Sequence, residues 1–269
     1  MFEGKNDGIA LEEVSLLGGE TKILDSISVT FPLHQCTVVM GFSGSGRSSL
    51  LKVAAGILLP DSGVVRVNGK PLSKMSEKEL LEFRSQSGFA FQDSALWSNL
   101  TVYQNLLLPL QFHRRNTPMD QLDRKIRRIL SEFEFKDDPQ FRPAQLSAGE
   151  RKLISLLRAL VLEPSILFLD EPTSFLDNVT IERILRTLKG QKQEGKTLII
   201  ATHSPELTSQ LADRLVVLKA GRIVEQGSFK EVVRSKNPEV IEIISEVLSE
   251  AAVYDTDILE LLQDSSNTE

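Results

Sequence analysis

Residues 41–49 read Gly41-Phe42-Ser43-Gly44-Ser45-Gly46-Arg47-Ser48-Ser49. A β-branched run, Thr37-Val38-Val39-Met40, precedes them, and the segment Leu50-Leu51-Lys52-Val53-Ala54-Ala55 after them predicts a helix. Between a strand and a helix, a glycine-rich turn lets main-chain N–H groups and the positive helix end bind an anion. We therefore predict that this loop is a binding site for the phosphates of a nucleotide. A flexible Gly/Ser turn is the alternative.

The loop departs from the usual pattern G-x-x-x-x-G-K-[ST] at one position, where Arg47 replaces the lysine. Lysine is a compact point charge, whereas arginine is longer and planar, so the exchange is not conservative. If Arg47 cannot reach the phosphate oxygens, the lost contact costs about 3 kcal/mol, or roughly a hundredfold in the rate of a reaction at the bound phosphates.

The composition is that of a globular chain of 269 residues, 41% hydrophobic and 25% charged. The apolar runs, such as 106–110, are far shorter than the roughly 20 residues that a membrane span requires. The first residues lack the apolar core of a signal peptide. A single cysteine, Cys36, excludes an internal disulfide and suits a reducing compartment. We expect Cys36 to be a small packed hydrophobe rather than a nucleophile.

Charge is distributed unevenly along the chain. From Lys236 onward nine acids face one lysine, a balance of −8, so the rest of the chain carries +2 of the total of −6. A near-neutral body with an acidic tail argues against nucleic acid as the partner. The tail also repeats apolar residues at helical spacing, which predicts an amphipathic helix packed on its own chain or on a dimer mate. These residues are Val240, Ile244, Val247, Leu248, Ala251, Tyr254, Ile258, Leu261 and Leu262.

The order of the predicted elements indicates an α/β fold. Residues 8–31 are typical of antiparallel strands, and 94–162 predict a helical subdomain without strands. The nearly all-apolar run 165–170 predicts a parallel strand buried on both faces. After it, helices and a strand alternate as in βαβ units, and a hairpin turns at Ala220-Gly221. The helices predicted around these strands are 101–113, 118–134, 148–162, 179–193 and 205–212.

Four further motifs carry chemistry. Asp170 closes the apolar strand and Glu171 follows it; such carboxylates can hold Mg²⁺ and activate a water, although a plain turn residue is the alternative. Ser147 with Glu150 is a capping box, and the same helix end is an anion site, so we expect both roles together. His203 follows the strand 197–201. Gln92 ends another strand and offers a neutral oxygen ligand.

Taken in their order along the chain, the loop 41–49 and these four motifs resemble those of the nucleotide-binding ATPase subunit of an ABC transporter, over residues 8–235. The resemblance implies a P-loop ATPase core at 1–235, with an antiparallel β subdomain and a helical subdomain at about 94–162. An acidic amphipathic helical extension follows at 236–269.

The resemblance also implies ATP and Mg²⁺ as cofactors. Residues 41–49, including Gly41, Ser43, Gly44, Ser45, Gly46, Arg47, Ser48 and Ser49, then surround the phosphates. Ser48, Gln92 and Asp170 are the expected oxygen ligands of Mg²⁺.

The remaining motifs take catalytic and dimer roles by the same resemblance. Glu171 is the general base and His203 the switch histidine. Ser147 and Gly149 of the signature, and Asp177 of the D-loop, contact ATP held by a second copy of the chain in a head-to-tail dimer.

Besides Arg47, two departures from the family pattern matter. The first hairpin has no aromatic residue to stack on adenine, and Leu16 or Leu17 takes that place. Ala148 and Glu150 stand where Gly and Gln are usual. Because the other hydrolytic residues are present, we expect an active but slow ATPase. A regulatory nucleotide sensor that binds ATP without hydrolysis is the alternative.

The resemblance implies a separate transmembrane permease, contacted through about 92–107, and a position on the cytoplasmic face of the inner membrane. Trp97 in this segment is either buried in the subdomain or an anchor at an interface. The same segment is similar to Mla-type ATPases, which predicts lipid transport with an MCE-domain partner. A lipoprotein-releasing or small-solute system is the alternative. A soluble ABC protein acting on DNA or ribosomes would carry two cassettes or a coiled-coil insertion, and neither pattern occurs.

Overall fold

The computed structural model describes residues 8–251, with side chains through Ser245. These residues form two compact units: one is Ser76–Gln191, and the other holds the residues up to Met75 and from Lys192. The described strands are β1 (Gly8–Gly18), β2 (Thr21–Pro32), β3 (Cys36–Met40), β4 (Ser62–Val67), β5 (Lys70–Pro71), β6 (Ser87–Ala90), β7 (Ile166–Asp170), β8 (Thr197–Ala201), β9 (Arg214–Lys219) and β10 (Arg222–Ser228).

The described helices follow the predicted order closely. They are α1 (Arg47–Ala54), α2 (Glu77–Ser85), α3 (Val102–His113), α4 (Met119–Glu132), α5 (Ala148–Leu160), α6 (Asn178–Gln193), α7 (Pro205–Leu211), α8 (Phe229–Val232) and α9 (Pro238–Ala251). Only helices and turns occupy 94–162, as the sequence predicts. In the described part of the chain, no helix has the length and apolar character needed to cross a membrane.

In the unit with both chain ends, an antiparallel sheet has the order β2-β1-β4-β5. Ile9 of β1 lies opposite Phe31 of β2 on one side and Val67 of β4 on the other. The antiparallel strands predicted at 8–31 are therefore confirmed. Apolar residues on one face of these strands are buried, because a sheet with one solvated face alternates apolar and polar positions.

The same unit contains a second sheet region in which β3 pairs in parallel with β8 and with β9. Every residue of β3 and β8 is buried, as expected for apolar strands covered on both faces. β3 begins at Cys36, whose thiol is buried as predicted. Burial raises the pKa of this thiol to about 12, although the charge of Lys192 acts in the opposite direction.

In the unit Ser76–Gln191, β6 pairs in parallel with β7, and every residue of β7 is buried. The predicted buried strand at 165–170 is confirmed. Three of the helices in this unit have a capping box at the N-terminus, in which two side chains accept hydrogen bonds from main-chain N–H groups of the first turn. These capping boxes are Ser76 with Glu79, Thr101 with Gln104, and Ser147 with Glu150.

Asn105 organises the turn that leads into α3. It is fully buried, and its side-chain oxygen accepts a hydrogen bond from the Trp97 N–H at 2.9 Å. Its amide group donates to the carbonyl oxygens of Trp97, Leu100 and Thr101 at 3.0–3.3 Å. A buried polar group is tolerated only when it is hydrogen-bonded, so Asn105 fixes the backbone from Trp97 to Thr101.

The tail helix α9 packs on its own chain. Val240 and Ile244 are fully buried, and α9 contacts α7. Lys219 forms an ion pair with Glu239 at 2.9 Å. The predicted burial of the apolar repeat is therefore confirmed at Val240 and Ile244. The side chains of Val247, Leu248 and Ala251, and the residues Tyr254, Ile258, Leu261 and Leu262, lie outside what the structure describes.

Candidate functional site

The predicted phosphate loop connects the buried strand β3 to α1. The N–H of Ser45 donates to the carbonyl of Phe42 at 3.0 Å, and the N–H of Leu50 donates to the carbonyl of Gly46 at 2.9 Å. The loop is also held from outside, because the N–H of Gly221 donates to the carbonyl of Ser45 at 3.0 Å. These hydrogen bonds hold the backbone of the loop at Phe42, Ser45 and Gly46.

The loop fits a phosphate group. Gly46 begins α1 with φ of +103°, a left-handed conformation that suits glycine. Phe42, Ser43 and Gly44 are exposed, and a Cβ placed on Gly44 would meet nothing within 4 Å. An anion can therefore approach the main-chain N–H groups at the start of α1.

Two side chains mark the polar interior of the loop. The hydroxyl of Ser45 is buried and has no hydrogen-bond partner among the described residues. The guanidinium of Arg47 donates to the carbonyl of Gly41 and, at 3.5 Å, to the carbonyl of Thr202. The guanidinium is thus engaged with the ends of β3 and β8.

His203 lies just after β8, as predicted. Its neighbours fix the local backbone: the N–H of Ser204 donates to the hydroxyl of Thr202 at 3.0 Å, and the hydroxyl of Ser204 caps α7 by accepting from the N–H of Leu207. His203 itself is exposed. The turn between β8 and α7 therefore presents the imidazole on the surface of its unit.

Of the two leucines expected near adenine, only one is accessible. Leu17 is 46% exposed and Leu16 is 8% exposed. Leu16 belongs to the core of the antiparallel sheet, so Leu17 is the side chain that can contact a base.

In the unit Ser76–Gln191, β7 ends at Asp170, and Glu171 follows directly. Asp170 is 2% exposed and Glu171 is 4% exposed. Glu171 has φ of +46°, so its backbone is left-handed and the extended conformation of β7 ends before it. A buried carboxylate is costly without compensating partners, which argues against a plain turn residue at either position.

The predicted signature and D-loop residues lie together. Ser147, Gly149 and Asp177 line one pocket of about 270 Å³. Ser147 caps α5 by accepting from the N–H of Glu150 at 3.2 Å. Asp177 accepts from the N–H and the hydroxyl of Thr180, both at 2.9 Å, and these hydrogen bonds lower the pKa of Asp177. Helix ends of this kind bind anions.

The predicted site residues divide between the two units. Residues 41–49 and His203 belong to one unit; Gln92, Ser147, Gly149, Asp170, Glu171 and Asp177 belong to the other. The individual roles assigned to them stay predictions. The predicted motifs do not include Lys152, a buried lysine whose ammonium donates to the carbonyl of Gln92 at 2.8 Å. A charged residue within the apolar face of a helix was the signal that could have identified it.

The segment after Gln92 borders an apolar groove of about 510 Å³ on the unit Ser76–Gln191. Trp97 is 58% exposed, so burial inside the subdomain is excluded. Arg84, His113 and Arg158 are the basic side chains of the groove. Its large apolar side chains are Phe89, Phe91, Trp97, Leu108, Phe112 and Leu162. Exposed aromatic side chains beside arginine are typical of protein interfaces.

The imidazole of His113 lines this groove. Its Nδ1 atom is buried without a hydrogen-bond partner in the described part of the chain, and its ring contacts Phe112 edge to face at 4.9 Å between centroids. Burial, and then the charges of Arg114 and Arg84, lower the pKa of His113 from its ordinary value of 6.5.

We expect the free energy of unfolding to fall as the pH drops through the ordinary pKa of His113, because the unfolded chain then binds a proton that the folded chain resists. The stabilisation is present above that pH and is lost below it. In His113→Phe, the decrease between about pH 7.5 and pH 5.5 should be smaller than in the wild type. Urea denaturation across this range measures it, and Arg114→Gln should reduce the decrease in part. Equal decreases in wild type and His113→Phe would contradict the assignment.

A family model described as "ABC transporter" matches residues 24–174. The methionine import ATP-binding protein MetN of Pasteurella multocida (strain Pm70) is 34% identical over 229 residues, which are 83% of this chain and 66% of that protein. MetN of Carboxydothermus hydrogenoformans is 33% identical over 232 residues, covering 86% of this chain and 68% of that protein. The chain thus spans about two thirds of the length of these relatives.

Solved structures show the same likeness. The ATP-binding cassette MJ0796, in a dimeric post-hydrolysis state bound to ADP and phosphate, matches with a TM-score of 0.75 and 27% identity. The match covers 82% of this chain and 98% of that one. cbiO1 from Clostridium perfringens, part of the ABC transporter complex cbiONQ, matches with a TM-score of 0.71 and 30% identity, over 96% of this chain and 99% of that one.

Proposed function

This chain belongs to the ABC transporter ATP-binding family, and from that premise we propose that it binds and hydrolyses ATP to drive a membrane transporter. One observation carries the proposal: the fully buried strand β7 delivers two adjacent carboxylates, Asp170 and Glu171, both almost fully buried. Neighbouring carboxylates of this kind suit a pair in which one binds a metal and the other moves a proton.

Oxygen donors fit Mg²⁺ at this site. Ser48, Gln92 and Asp170 would hold the ion, which supplies charge neutralisation at the ATP phosphates when bound. The N–H groups of the loop 41–49 would bind the phosphates themselves, because the exposed turn at Gly44 leaves room for them.

The chain's own residues supply the remaining chemistry. Glu171 takes a proton from the attacking water, and His203 helps to hold that water and the terminal phosphate in place. Ser147, Gly149 and Asp177 lie around one pocket and present a helix N-terminus to the ATP bound by a second copy of the chain. Each site then needs residues from two chains.

We propose that a transmembrane permease docks at the groove beside Trp97 and places the chain on the cytoplasmic face of the membrane. The exposed Trp97 and Phe112 supply apolar contact, and Arg84 and Arg158 supply positive charge. This groove extends the predicted contact segment 92–107 to Leu108 and Phe112.

For the transported molecule, we propose a small solute of the amino-acid class. The relatives named above are methionine import proteins, so they give no support to lipid transport or to an MCE-domain partner. Uptake of labelled methionine by cells with and without the gene tests this proposal. Uptake that is unchanged by deletion, together with altered phospholipid movement, would restore the lipid hypothesis.

Arg47→Lys is expected to raise ATP turnover by about tenfold, because a compact ammonium ion reaches the phosphates more readily than a guanidinium engaged with Gly41 and Thr202. Phosphate release by the assembled transporter measures it. Arg47→Ala is the control, and its ATP turnover should be lower than that of the wild type. A wild type that binds ATP but releases no phosphate would instead favour a regulatory sensor.

A further inference from the structure

Two cations of α5 hold the same loop by its main chain. The ammonium of Lys152 donates to the carbonyl of Gln92 at 2.8 Å. The guanidinium of Arg158 donates to the carbonyl of Ala95 at 2.8 Å and to that of Ser94 at 3.2 Å. Three carbonyls among four consecutive loop residues, 92–95, are therefore bound to one helix.

Lys152 is buried, and Arg158 is half-buried. Lys152 is 6% exposed, and burial lowers the pKa of both Lys152 and Arg158. The carboxylates of Asp170, Glu171 and Asp93 act in the opposite direction on Lys152. A buried charge is costly unless it is paired and hydrogen-bonded, so these partners are needed to keep both cations in place.

The loop that they hold has a backbone that does not form easily. Ser94 has φ of +66° and Ala95 has φ of +45°, and neither residue is glycine. Left-handed residues of this kind persist only where surrounding contacts fix them. The two hydrogen bonds from Arg158 reach the carbonyls of these same two residues.

The loop and the helix each lead to a functional element. The loop begins at Gln92, a predicted Mg²⁺ ligand, and continues to Trp97 at the groove. The helix begins at Ser147 of the predicted signature. The contacts between this loop and α5 thus connect Trp97, where a partner would dock, with Ser147, where ATP would be contacted.

We propose that Lys152 and Arg158 are positioning residues that hold the loop 92–95 in one conformation and fasten it to α5. Gln92 is then placed through its main-chain carbonyl. A shift of the loop imposed at Trp97 is carried to Ser147, because loop and helix move as one piece. The effect on turnover rests on the ATPase function proposed above, whereas the effect on loop mobility does not.

Hydrogen exchange of the full chain tests the connection without turnover. We expect Lys152→Met and Arg158→Met to speed exchange of the amides of 93–97 by about tenfold, because the loop opens more often. Lys152→Arg should keep them protected. Lys125→Met is the matched control, since Lys125 pairs with Glu163 in the same unit at 3.1 Å. Unchanged exchange in both Met variants would overturn the proposal.

Steady-state ATP turnover tests whether Lys152 acts through Gln92. We expect Lys152→Met to lower kcat by about tenfold with KM within about twofold, and Lys152→Arg to restore most of it. In a Gln92→Ala background the same change should cost less than about twofold. If the double variant loses kcat by the product of the two single losses, Lys152 has a merely structural role and the proposal is overturned. If the wild type has no turnover, the ATPase function fails, and the exchange measurement still decides the connection.

Discussion

Glu171→Gln is expected to lower ATP turnover by about a hundredfold or more while ATP binding is retained. The amide has the size and shape of the carboxylate, so the buried position after β7 accepts it. The amide cannot take a proton from the attacking water, so the chemical step slows. Phosphate release by the assembled transporter measures turnover, and nucleotide titration of the same sample measures binding.

The control for this experiment is Glu163→Gln, because Glu163 is exposed, pairs with Lys125 and precedes β7, whereas Glu171 follows the end of that strand. It should keep wild-type turnover. Equal turnover in wild type and Glu171→Gln would show that Glu171 is not the base and would contradict the active-enzyme hypothesis. Loss of nucleotide binding in Glu171→Gln would point instead to a structural role for the buried carboxylate.

Gly46→Ala is expected to destabilise the phosphate loop strongly. A Cβ at Gly46 would lie 2.8 Å from the carbonyl oxygen of Ile23 and 3.1 Å from a methyl group of Leu24. Its φ of +103° is also unfavourable for alanine. We expect the free energy of unfolding without nucleotide to fall by about 3 kcal/mol, and ATP binding to be lost as α1 shifts.

Gly44→Ala is the matched control because it separates strain from steric conflict. Gly44 has φ of +79°, but a Cβ there would meet nothing within 4 Å. The free energy of unfolding of Gly44→Ala should be lower than that of the wild type by only about 1 kcal/mol. Chemical denaturation of both variants gives the difference. Equal losses in the two variants would mean that the contact with Ile23 is relieved by movement of the β1–β2 sheet.

Local sequence patterns predicted most of the fold, because the spacing of apolar residues differs between strands and helices. β7 and β8 were predicted from continuous apolar runs, and both are buried throughout. The capped start of α5 followed from Ser147 and Glu150 alone. The candidate site residues were found because each ends a strand or begins a helix, positions at which polar residues among apolar neighbours stand out.

What the sequence could not predict depends on contacts between distant residues. Lys152 binds a carbonyl sixty residues away, and no local pattern connects the two. Asn105 lies in an amphipathic stretch, and only the structure shows that four hydrogen bonds fix the turn after Trp97. The transporter class was also beyond reach, because a short segment after Gln92 resembled one sub-family while the relatives named above belong to another.

The buried thiol of Cys36 makes this chain convenient for spectroscopy. It is the single cysteine, and with a pKa of about 12 it forms almost no thiolate at neutral pH. Maleimide reagents therefore have nothing accessible to modify in the native protein. A cysteine introduced at the exposed Ser98 would become the sole labelling position, so a fluorophore beside Trp97 could report docking in the groove without prior removal of a native residue.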